Sequence, residues 1–348
     1  MLETSTVKHY PILTILSTGK KSFENLGLIA EKSGDSIARL LRSAQESFVC
    51  AQAICLELFK HKQRLYLAID DTLIRKIFSE YMQGSGRFYD TKVGRRITAF
   101  KLVAGMISDG TYCIPIGCDY LFSQELIDVM TEPVKTKNEI AQELVLLAKK
   151  LFPNTELIVV ADGLYATVEF LSWCINNNIK LEVRMHSNRV VTYNNERIKL
   201  SKMLDDTKLC PNGRRMARTC TVVWQKLSLE ITIVRRIDKH GQESFIFQAA
   251  TYKTRPDQHL RAYKRRWPVE KTFRTTKQHL GLQECFSRSL QTQHNHVAAV
   301  FLAYVFAQLE MKSSRLNTPE EAIRRLKQKK LDQVLAQFAV LDGSLVCA

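Results

Sequence analysis

Two predicted β-strands end in aspartates, and carboxylates at such positions can take part in chemistry. The apolar runs RLYLAIDD (64–71) and ELIVVAD (156–162) end at Asp70 or Asp71 and at Asp162, respectively. A carboxylate at a strand end faces a crevice, whereas one in mid-strand is buried without a partner at high cost. One strand-end acid is usually only a turn residue, but two can converge on Mg²⁺, a hard cation that takes oxygen ligands. The pair predicts a divalent-metal site that cleaves or transfers phosphodiester bonds.

Only one member of the Asp70–Asp71 pair can face the same way as Asp162, because neighbouring side chains of a strand point to opposite faces. The order Asp70, Asp71, Thr72 favours Asp70, since the acid at this type of site is commonly followed two residues later by a small hydroxyl residue. Both aspartates remain candidates from the sequence. Cleavage assays on the two alanine variants would separate them.

The segment YKRRWPVEKTFRTTK (263–277) places one glutamate, Glu270, among six lysines and arginines. Pro268 lacks an amide proton and suits the first turn of a helix, where the helix dipole favours a carboxylate. Tyr263, Glu270 and Lys277 follow one another at intervals of seven residues, which gives them nearly one helical face. The pattern favours a third metal-binding acid surrounded by cations that hold a nucleic-acid backbone.

The charge of the whole chain favours a polyanionic partner. Lysine and arginine outnumber aspartate and glutamate by 51 to 35, a formal net charge of +16, and neutralising phosphates with such residues releases condensed counterions. Between residues 253 and 277, nine basic residues stand against Asp257 and Glu270, so the excess is concentrated near the third acid. If only the charge is considered, a ribosome-like scaffold or a membrane-surface protein is an alternative to a nucleic-acid-binding protein.

Nine cysteines without a C-x-x-C pair indicate reduced thiols in a cytoplasmic compartment and lack the paired spacing of a zinc site. His294 and His296 are interpreted as the edge of an ordinary helix. The apolar run that follows, VAAVFLAYVFAQL (297–309), is shorter than the ~20 residues that a membrane-spanning helix needs. No membrane association is predicted.

The periodicity of apolar residues divides the chain into helical and β-rich parts. Residues 1–60 are predicted to be helical and are a candidate DNA-binding region, because 26–42 is either a helix-turn-helix with Gly34 in its turn or a plain helix pair. Residues 61–186 read as strands followed by alternating helix and strand, with one amphipathic helix at 136–152. The predicted fold is α/β, a mixed sheet with flanking helices.

The second half of the chain begins with β-prone runs. Residues 187–252 are predicted to be a β-rich insertion, 253–290 the second part of the core, and 291–348 a helical carboxy-terminal region. Within that last region, residues 320–338 (EEAIRRLKQKKLDQVLAQF) are predicted to form one amphipathic helix.

Tyr263, Arg266, Glu270 and Lys277 are separated by two, three and six residues. This spacing resembles the Y-R-E-K signature of bacterial insertion-sequence transposases of the DDE class. The group that it resembles, named insertion sequence four, carries a β-stranded insertion between the second and third acids, where this chain is also β-rich. The similarity covers roughly residues 64–285.

The resemblance implies a ribonuclease-H-like catalytic core in which Asp70, Asp162 and Glu270 bind two Mg²⁺ ions, with Mn²⁺ as a substitute. Members of the group cut DNA at the transposon ends and join the freed 3′ hydroxyl to target DNA, often through a hairpin. The implied partner is double-stranded DNA, both terminal inverted repeats and target. The protein would act as a homodimer on that DNA, in the bacterial cytoplasm and at the nucleoid when bound.

The resemblance also implies which residues hold the DNA. Tyr263, Arg266 and Lys277 would contact the transposon-end phosphates, together with Arg265 and Arg274 of the same basic segment.

In relatives of that group, an insertion tryptophan stacks on a flipped base. Trp224, the single tryptophan of the insertion, either takes that part or packs in the core. Three rival functions stay open from the sequence: a stand-alone nuclease with the same core, a catalytically silent DNA-binding protein, and a generic basic scaffold.

Overall fold

The structure is a computed structural model. It describes residues 5–42, 46–77, 79, 81–131, 133–204, 210–212, 215–237 and 240–339. The outermost parts of the two predicted terminal regions, 1–4 and 340–348, lie outside the described residues.

Four helices precede the sheet: α1 (Ser5–Leu16), α2 (Phe23–Ala30), α3 (Gly34–Arg42) and α4 (Ser47–Phe59). The prediction that Gly34 lies in the turn between two helices is wrong, because Gly34 is the first residue of α3. The chain turns instead at Glu31, whose φ of 52° is left-handed. The Ser33 hydroxyl then accepts a hydrogen bond from the Ser36 amide, 3.3 Å away, as an N-cap side chain does, so α3 begins one residue later.

The central strands form a mixed sheet with antiparallel and parallel pairs. The strands are β1 (Arg64–Arg75), β2 (Gly86–Asp90), β3 (Arg95–Ser108), β4 (Cys113–Leu121), β5 (Glu156–Ala161) and β6 (Lys180–Met185). β1 pairs antiparallel with β3 and parallel with β5, and β5 pairs parallel with β6. The predicted strands are present, and β2 is an additional short strand at the β3 edge. Gly110 supports the predicted tight turn between β3 and β4 with a φ of +99°.

The β-rich segment continues this sheet instead of forming a separate layer. Its strands are β7 (Val190–Tyr193), β8 (Glu196–Lys199), β9 (Cys210–Asn212), β10 (Arg215–Trp224), β11 (Leu227–Ile237) and β12 (Glu243–Ala250). β12 pairs antiparallel with β6, so the order across the sheet is β2-β3-β1-β5-β6-β12-β11-β10-β7-β8, with β4 on β3 and β9 on β10. Twelve strands of the described residues thus belong to one sheet.

Three helices connect the central strands: α5 (Gln124–Ile127), α6 (Lys137–Leu151) and α7 (Val168–Asn176). The predicted helix at 136–152 is confirmed as α6. It begins with a capping box, in which Thr136 and Glu139 each bind the backbone amide of the other. Ile140 and Leu144 lie buried on its apolar face. The predicted α/β fold, a ribonuclease-H-like mixed sheet with flanking helices, is confirmed.

Five helices follow the sheet: α8 (Pro256–Lys264), α9 (Trp267–His279), α10 (Leu290–Ser313), α11 (Pro319–Leu326) and α12 (Leu331–Ala339). The apolar run of α10 is buried from residue 295 to residue 308, at the centre of the hydrophobic core. Across the described ranges, no helix is both long enough and apolar enough to cross a membrane.

The single helix predicted for residues 320–338 is wrong, because α11 and α12 are separate helices. Between them the Lys330 amide donates a hydrogen bond to the Gln333 side chain, 3.1 Å away, which starts a new helix. The break also brings Lys329 to 3.6 Å and Arg325 to 3.0 Å from Glu310, a buried carboxylate of α10. A continuous amphipathic pattern in the sequence does not reveal this buried partner.

The interpretation of His294 and His296 as a plain helix edge is wrong for His296, which is fully buried. Its Nε2 donates a hydrogen bond to the Gly281 carbonyl at 2.9 Å, so its Nδ1 accepts one from the Tyr10 hydroxyl at 2.8 Å. The neutral imidazole therefore joins α1, α10 and the loop after α9.

Acid is expected to weaken this junction. Burial lowers the pKa of His296 from 6.5 to about 4. As the pH falls, the unfolded chain binds this proton before the folded protein does. The free energy of unfolding should therefore keep its full value above pH ~6.5 and fall by about 3 kcal/mol as the pH approaches ~4. Urea unfolding at several pH values measures the effect. A His296→Gln variant should show a flatter pH dependence over that window, and parallel curves for the two proteins would contradict the assignment.

Candidate active site

Asp70 and Asp162 lie side by side on neighbouring parallel strands. The prediction that both strands end at these acids is confirmed for β5, which ends at Ala161, and wrong for β1, which continues past Asp70 to Arg75 because it stays paired with β3. The β1–β5 register pairs Ile69 with Ala161, so each aspartate is the next residue along its strand direction. Adjacent strands are about 4.8 Å apart, which brings the two carboxylates into one crevice. The Asp162 carboxylate accepts a hydrogen bond from the Leu164 amide at 2.8 Å, which fixes it at the start of a short 3₁₀ turn. Both line an open pocket of about 650 Å³, called here the acid pocket.

Glu270 reaches the same pocket from α9. Pro268 stands in the first turn of that helix, as predicted, and Glu270 follows it in the same turn. Val269 and Phe273 are buried and hold the helix against the core. The three predicted acids are therefore brought together, although they come from three separate elements.

Arg266 connects two of these acids. One guanidinium nitrogen donates to an Asp70 oxygen at 3.0 Å, and the other donates to Glu270. Its side chain is only 14% exposed, so the interaction is poorly screened by water. Its Nε is buried and finds no hydrogen-bond acceptor within the described part of the chain. The residue thus holds a positive charge between two carboxylates.

Asp71 faces away from the acid pocket. It pairs with Lys137 of α6 and, at 3.3 Å, with Lys101 of β3 on the opposite face of the sheet. Of the two candidates, Asp70 is the one that shares the pocket with Asp162. The geometry supports the choice of Asp70, because the cations beside Asp71 already neutralise it.

Tyr263 lies beside Arg266, and Lys277 lies beside β1. Tyr263 lines the acid pocket, with its ring centroid 5.8 Å from the Arg266 guanidinium carbon. Lys277 donates a hydrogen bond to the Thr72 hydroxyl at 2.6 Å, two residues beyond Asp70 on the same side of β1. Tyr263 and Arg266 therefore line the acid pocket, whereas Lys277 lies outside its lining, at Thr72.

The other two predicted DNA contacts lie elsewhere. Arg265 stacks over the ring of Tyr66, with its guanidinium carbon 5.6 Å from the ring centroid, near the amino end of β1. Arg274 is exposed on α9. Neither is among the residues that line the acid pocket.

Sequence reasoning missed the third strand end at this pocket. β6 stands beside β5, and Arg184 and His186 line the pocket near its carboxyl end. The run KLEVRMH ends in a histidine, just as its two neighbours end in aspartates, and this was the available signal. Trp224, in contrast, is only 4% exposed, with Arg189 over its ring, so it packs in the core.

Burial and neighbouring charges shift the pKa values of Asp70, Arg266 and Lys277. Burial raises the pKa of Asp70 to about 7; the Arg266 guanidinium opposes this rise and the Asp162 carboxylate adds to it. Burial opposes the charge of Arg266, but Tyr263, Asp70 and Glu270 together raise its pKa. Burial, with Lys92 and Arg75 nearby, lowers the pKa of Lys277 to about 8.

The chemistry of the donor set fits a hard divalent cation. Asp70, Asp162 and Glu270 offer only oxygen ligands, which Mg²⁺ and Mn²⁺ prefer. Within the ranges that the structure describes, no three His, Cys, Asp or Glu side chains stand close enough to form a complete metal site. The guanidinium of Arg266 separates Asp70 from Glu270 and accounts for this spacing.

Comparison with known proteins gives the class of this pocket. Residues 62–306, more than two thirds of the chain, match the family model described as "Transposase DDE domain". The match includes Asp70, Asp162 and Glu270. No curated protein matches the chain. Because the family model spans most of the sequence and contains the whole acid pocket, the chain belongs to the transposase DDE domain family.

Proposed function

We propose that this protein is a cut-and-paste DNA transposase of the insertion sequence four group. It would cleave DNA at transposon ends and join the freed 3′ hydroxyl to target DNA. The observation that carries the proposal is the meeting of Asp70, Asp162 and Glu270 in one pocket of a DDE-family chain. The Y-R-E-K spacing from Tyr263 to Lys277 supports the choice of group.

Asp70, Asp162 and Glu270 would hold two Mg²⁺ ions, or Mn²⁺ in their place. When bound, paired ions of this kind activate an attacking oxygen and stabilise the leaving oxygen. The protein's own side chains would position the DNA. Arg266 and Tyr263 line the acid pocket, and Lys277 contacts Thr72, two residues beyond Asp70. These three side chains would bind the phosphates on both sides of the scissile bond.

Arg266 would have two successive partners. Without DNA it neutralises Asp70 and Glu270, which removes part of their mutual repulsion. A DNA phosphate would attract the same guanidinium, since bidentate contacts between arginine and phosphate are strong. Once Arg266 turns to the phosphate, both carboxylates become available to a cation. DNA binding and metal binding are then expected to reinforce each other.

A DNA-free metal titration tests the role of Arg266. Arg266→Ala should bind Mn²⁺ at least about tenfold more tightly than the wild type, because a competing positive charge is removed from two carboxylates. Electron paramagnetic resonance of free Mn²⁺ measures the affinity. Arg274→Ala, which removes a charge from the exposed side of the same helix, is the control and should leave the affinity unchanged. Equal affinities for Arg266→Ala and the wild type would contradict this role.

The remaining parts of the chain would serve the same reaction. Residues 1–60 would bind DNA, 61–186 and 253–290 would form the two parts of the catalytic core, and 187–252 would extend it. Residues 291–348 would stabilise the catalytic core, since α10 is buried within it. The partner would be double-stranded DNA, and because transposition holds two ends together, we expect a homodimer in the DNA complex.

A strand-transfer assay tests the function. Inverted repeats that flank the coding region would supply the end DNA, and this DNA would be incubated with the protein, Mg²⁺ and a target plasmid. A transposase should yield joined products, whereas a stand-alone nuclease would cut without joining. A silent DNA-binding relic would leave the DNA intact. A generic scaffold predicts that Glu270→Ala changes none of the activities.

A further inference from the structure

A second pocket lies at the opposite end of the central strands. It has a volume of about 230 Å³, and we call it the amino-end cleft. The charged residues in its lining are Arg64, Glu156, Lys180, Lys253 and Arg261. Tyr66 and Tyr252 form part of its wall. No part of the proposed catalytic reaction uses this cleft.

The amino-end cleft and the acid pocket open on the same face of the sheet. Side chains two residues apart along a strand share a face, so Tyr66 of β1 points to the same side as Asp70. The same alternation places Glu156, at the start of β5, on the side of Asp162. One face of the parallel strands therefore carries acids at its carboxyl end and cations at its amino end.

The charge of the amino-end cleft is strongly positive. Four cations face a single lining carboxylate, Glu156. Glu156 pairs with Arg64 and, at 2.5 Å, with Lys180, so it neutralises one charge and holds two side chains in place. Outside the lining, Asp257 lies 3.5 Å from Arg261. The excess remains positive, and Arg265 adds a further cation above Tyr66 at the same end of the sheet.

Helix α8 fixes the distance between the two pockets. Its Arg261 lines the amino-end cleft, and Tyr263, two residues later, lines the acid pocket. His259 attaches the helix to the sheet through a fully buried contact with Glu182, with 2.5 Å between His259 Nδ1 and the carboxylate oxygen. Gln248 of β12 donates a hydrogen bond to the His259 carbonyl at 2.7 Å. A ligand that occupies both pockets would thus meet a rigid spacing.

The spacing suits a nucleic-acid backbone. Tyr66 and Arg64 precede Asp70 by four and six residues, which corresponds to about 13–20 Å along an extended strand. Phosphates of one DNA strand follow one another at ~3.4 Å along the helix axis. We infer that the amino-end cleft binds the duplex backbone about four to six nucleotides from the phosphate held in the acid pocket. This inference rests on the proposed function, because it assumes that DNA lies at the acids.

Salt-dependent DNA binding tests the inference. The variant is Lys253→Ala combined with Arg261→Ala, two exposed residues whose replacement should leave the fold intact. The control is Lys149→Ala combined with Lys150→Ala, an equal change of charge at the exposed end of α6. Fluorescence anisotropy with a blunt duplex, at several salt concentrations, gives the slope of log Kobs against log salt. The cleft variant should lower the magnitude of this slope by about 2, and the control should not.

A backbone scan locates the contact. End duplexes with single uncharged methylphosphonates at successive positions are bound to the wild type and to the cleft variant. Neutral linkages about four to six nucleotides from the cleavage site should weaken binding to the wild type several-fold, but leave binding to the variant unchanged. An equal loss for both proteins at every position would overturn the inference. If the wild type still cleaves and joins ends in that case, the proposed function stands and only the role of the cleft is lost.

Discussion

Replacing Glu270 by glutamine is expected to slow the metal-dependent cleavage of end DNA by at least about a thousandfold. A neutral amide would remove one of three charged ligands, and bound ions contribute several kcal/mol to such a transition state. Arg266 would also lose one of its two carboxylate partners. The fold should be unaffected, since Glu270 lies at the open side of the pocket and is 37% exposed.

Single-turnover cleavage of end DNA in Mg²⁺ measures this effect. Glu143→Gln is a suitable control, because Glu143 is an exposed glutamate on α6 that pairs with Lys135. It should cleave at the rate of the wild type. If the cleavage rate of Glu270→Gln is within tenfold of the wild-type rate, Glu270 does not bind an ion that the reaction requires.

The largest loss of stability is expected at Glu182 of β6, which is not among the residues that line the acid pocket. This carboxylate is fully buried and accepts hydrogen bonds from Tyr252 at 2.7 Å, from Gln248 and from His259. The Nε2 atom of His259 has no partner within the described residues, so Nδ1 carries the proton that Glu182 accepts. Glu182→Ala leaves the Tyr252 hydroxyl and the buried Nδ1–H of His259 without their acceptor, whereas Gln248 keeps the His259 carbonyl as its acceptor. The change should lower the free energy of unfolding by about 3–5 kcal/mol.

Equilibrium unfolding in urea tests the prediction for Glu182. Glu57→Ala, at an exposed position of α4, should change the free energy of unfolding by less than about 0.5 kcal/mol. Because His259 anchors α8, the Glu182 variant should also lose protection against hydrogen exchange in that helix. A loss below about 1 kcal/mol would show that the buried group of polar side chains contributes little to the stability of the fold.

The acid pocket could be predicted from the sequence to an unusual degree because its members follow local rules. Asp70 and Asp162 each close a β-prone apolar run, and their meeting requires only that β1 and β5 be parallel neighbours. Pro268 marks the first turn of α9 and so sets the place of Glu270. Local propensity therefore locates the acids along the chain, but it indicates neither that β1 continues past Asp70 to Arg75 nor which of Asp70 and Asp71 faces the pocket.

Contacts between distant elements other than the meeting of the three acids could not be predicted. The bridge from Arg266 to Asp70 joins residues 196 positions apart, and no local pattern indicates it. The pairing of β12 with β6, which merges the insertion with the core sheet, is likewise a choice among many possible edges. The same limit applies to Arg265: it is predicted to contact DNA as part of the basic segment, but the sequence does not indicate that its side chain packs on Tyr66.

A structure of the protein bound to end DNA in Mn²⁺ tests the central claim most directly, through the anomalous signal of the metal. We predict two Mn²⁺ ions with oxygen atoms of Asp70, Asp162 and Glu270 at about 2.0–2.6 Å, and Arg266 turned from these acids to a phosphate. Metal bound elsewhere on the DNA complex, with Arg266 still between Asp70 and Glu270, would contradict the account.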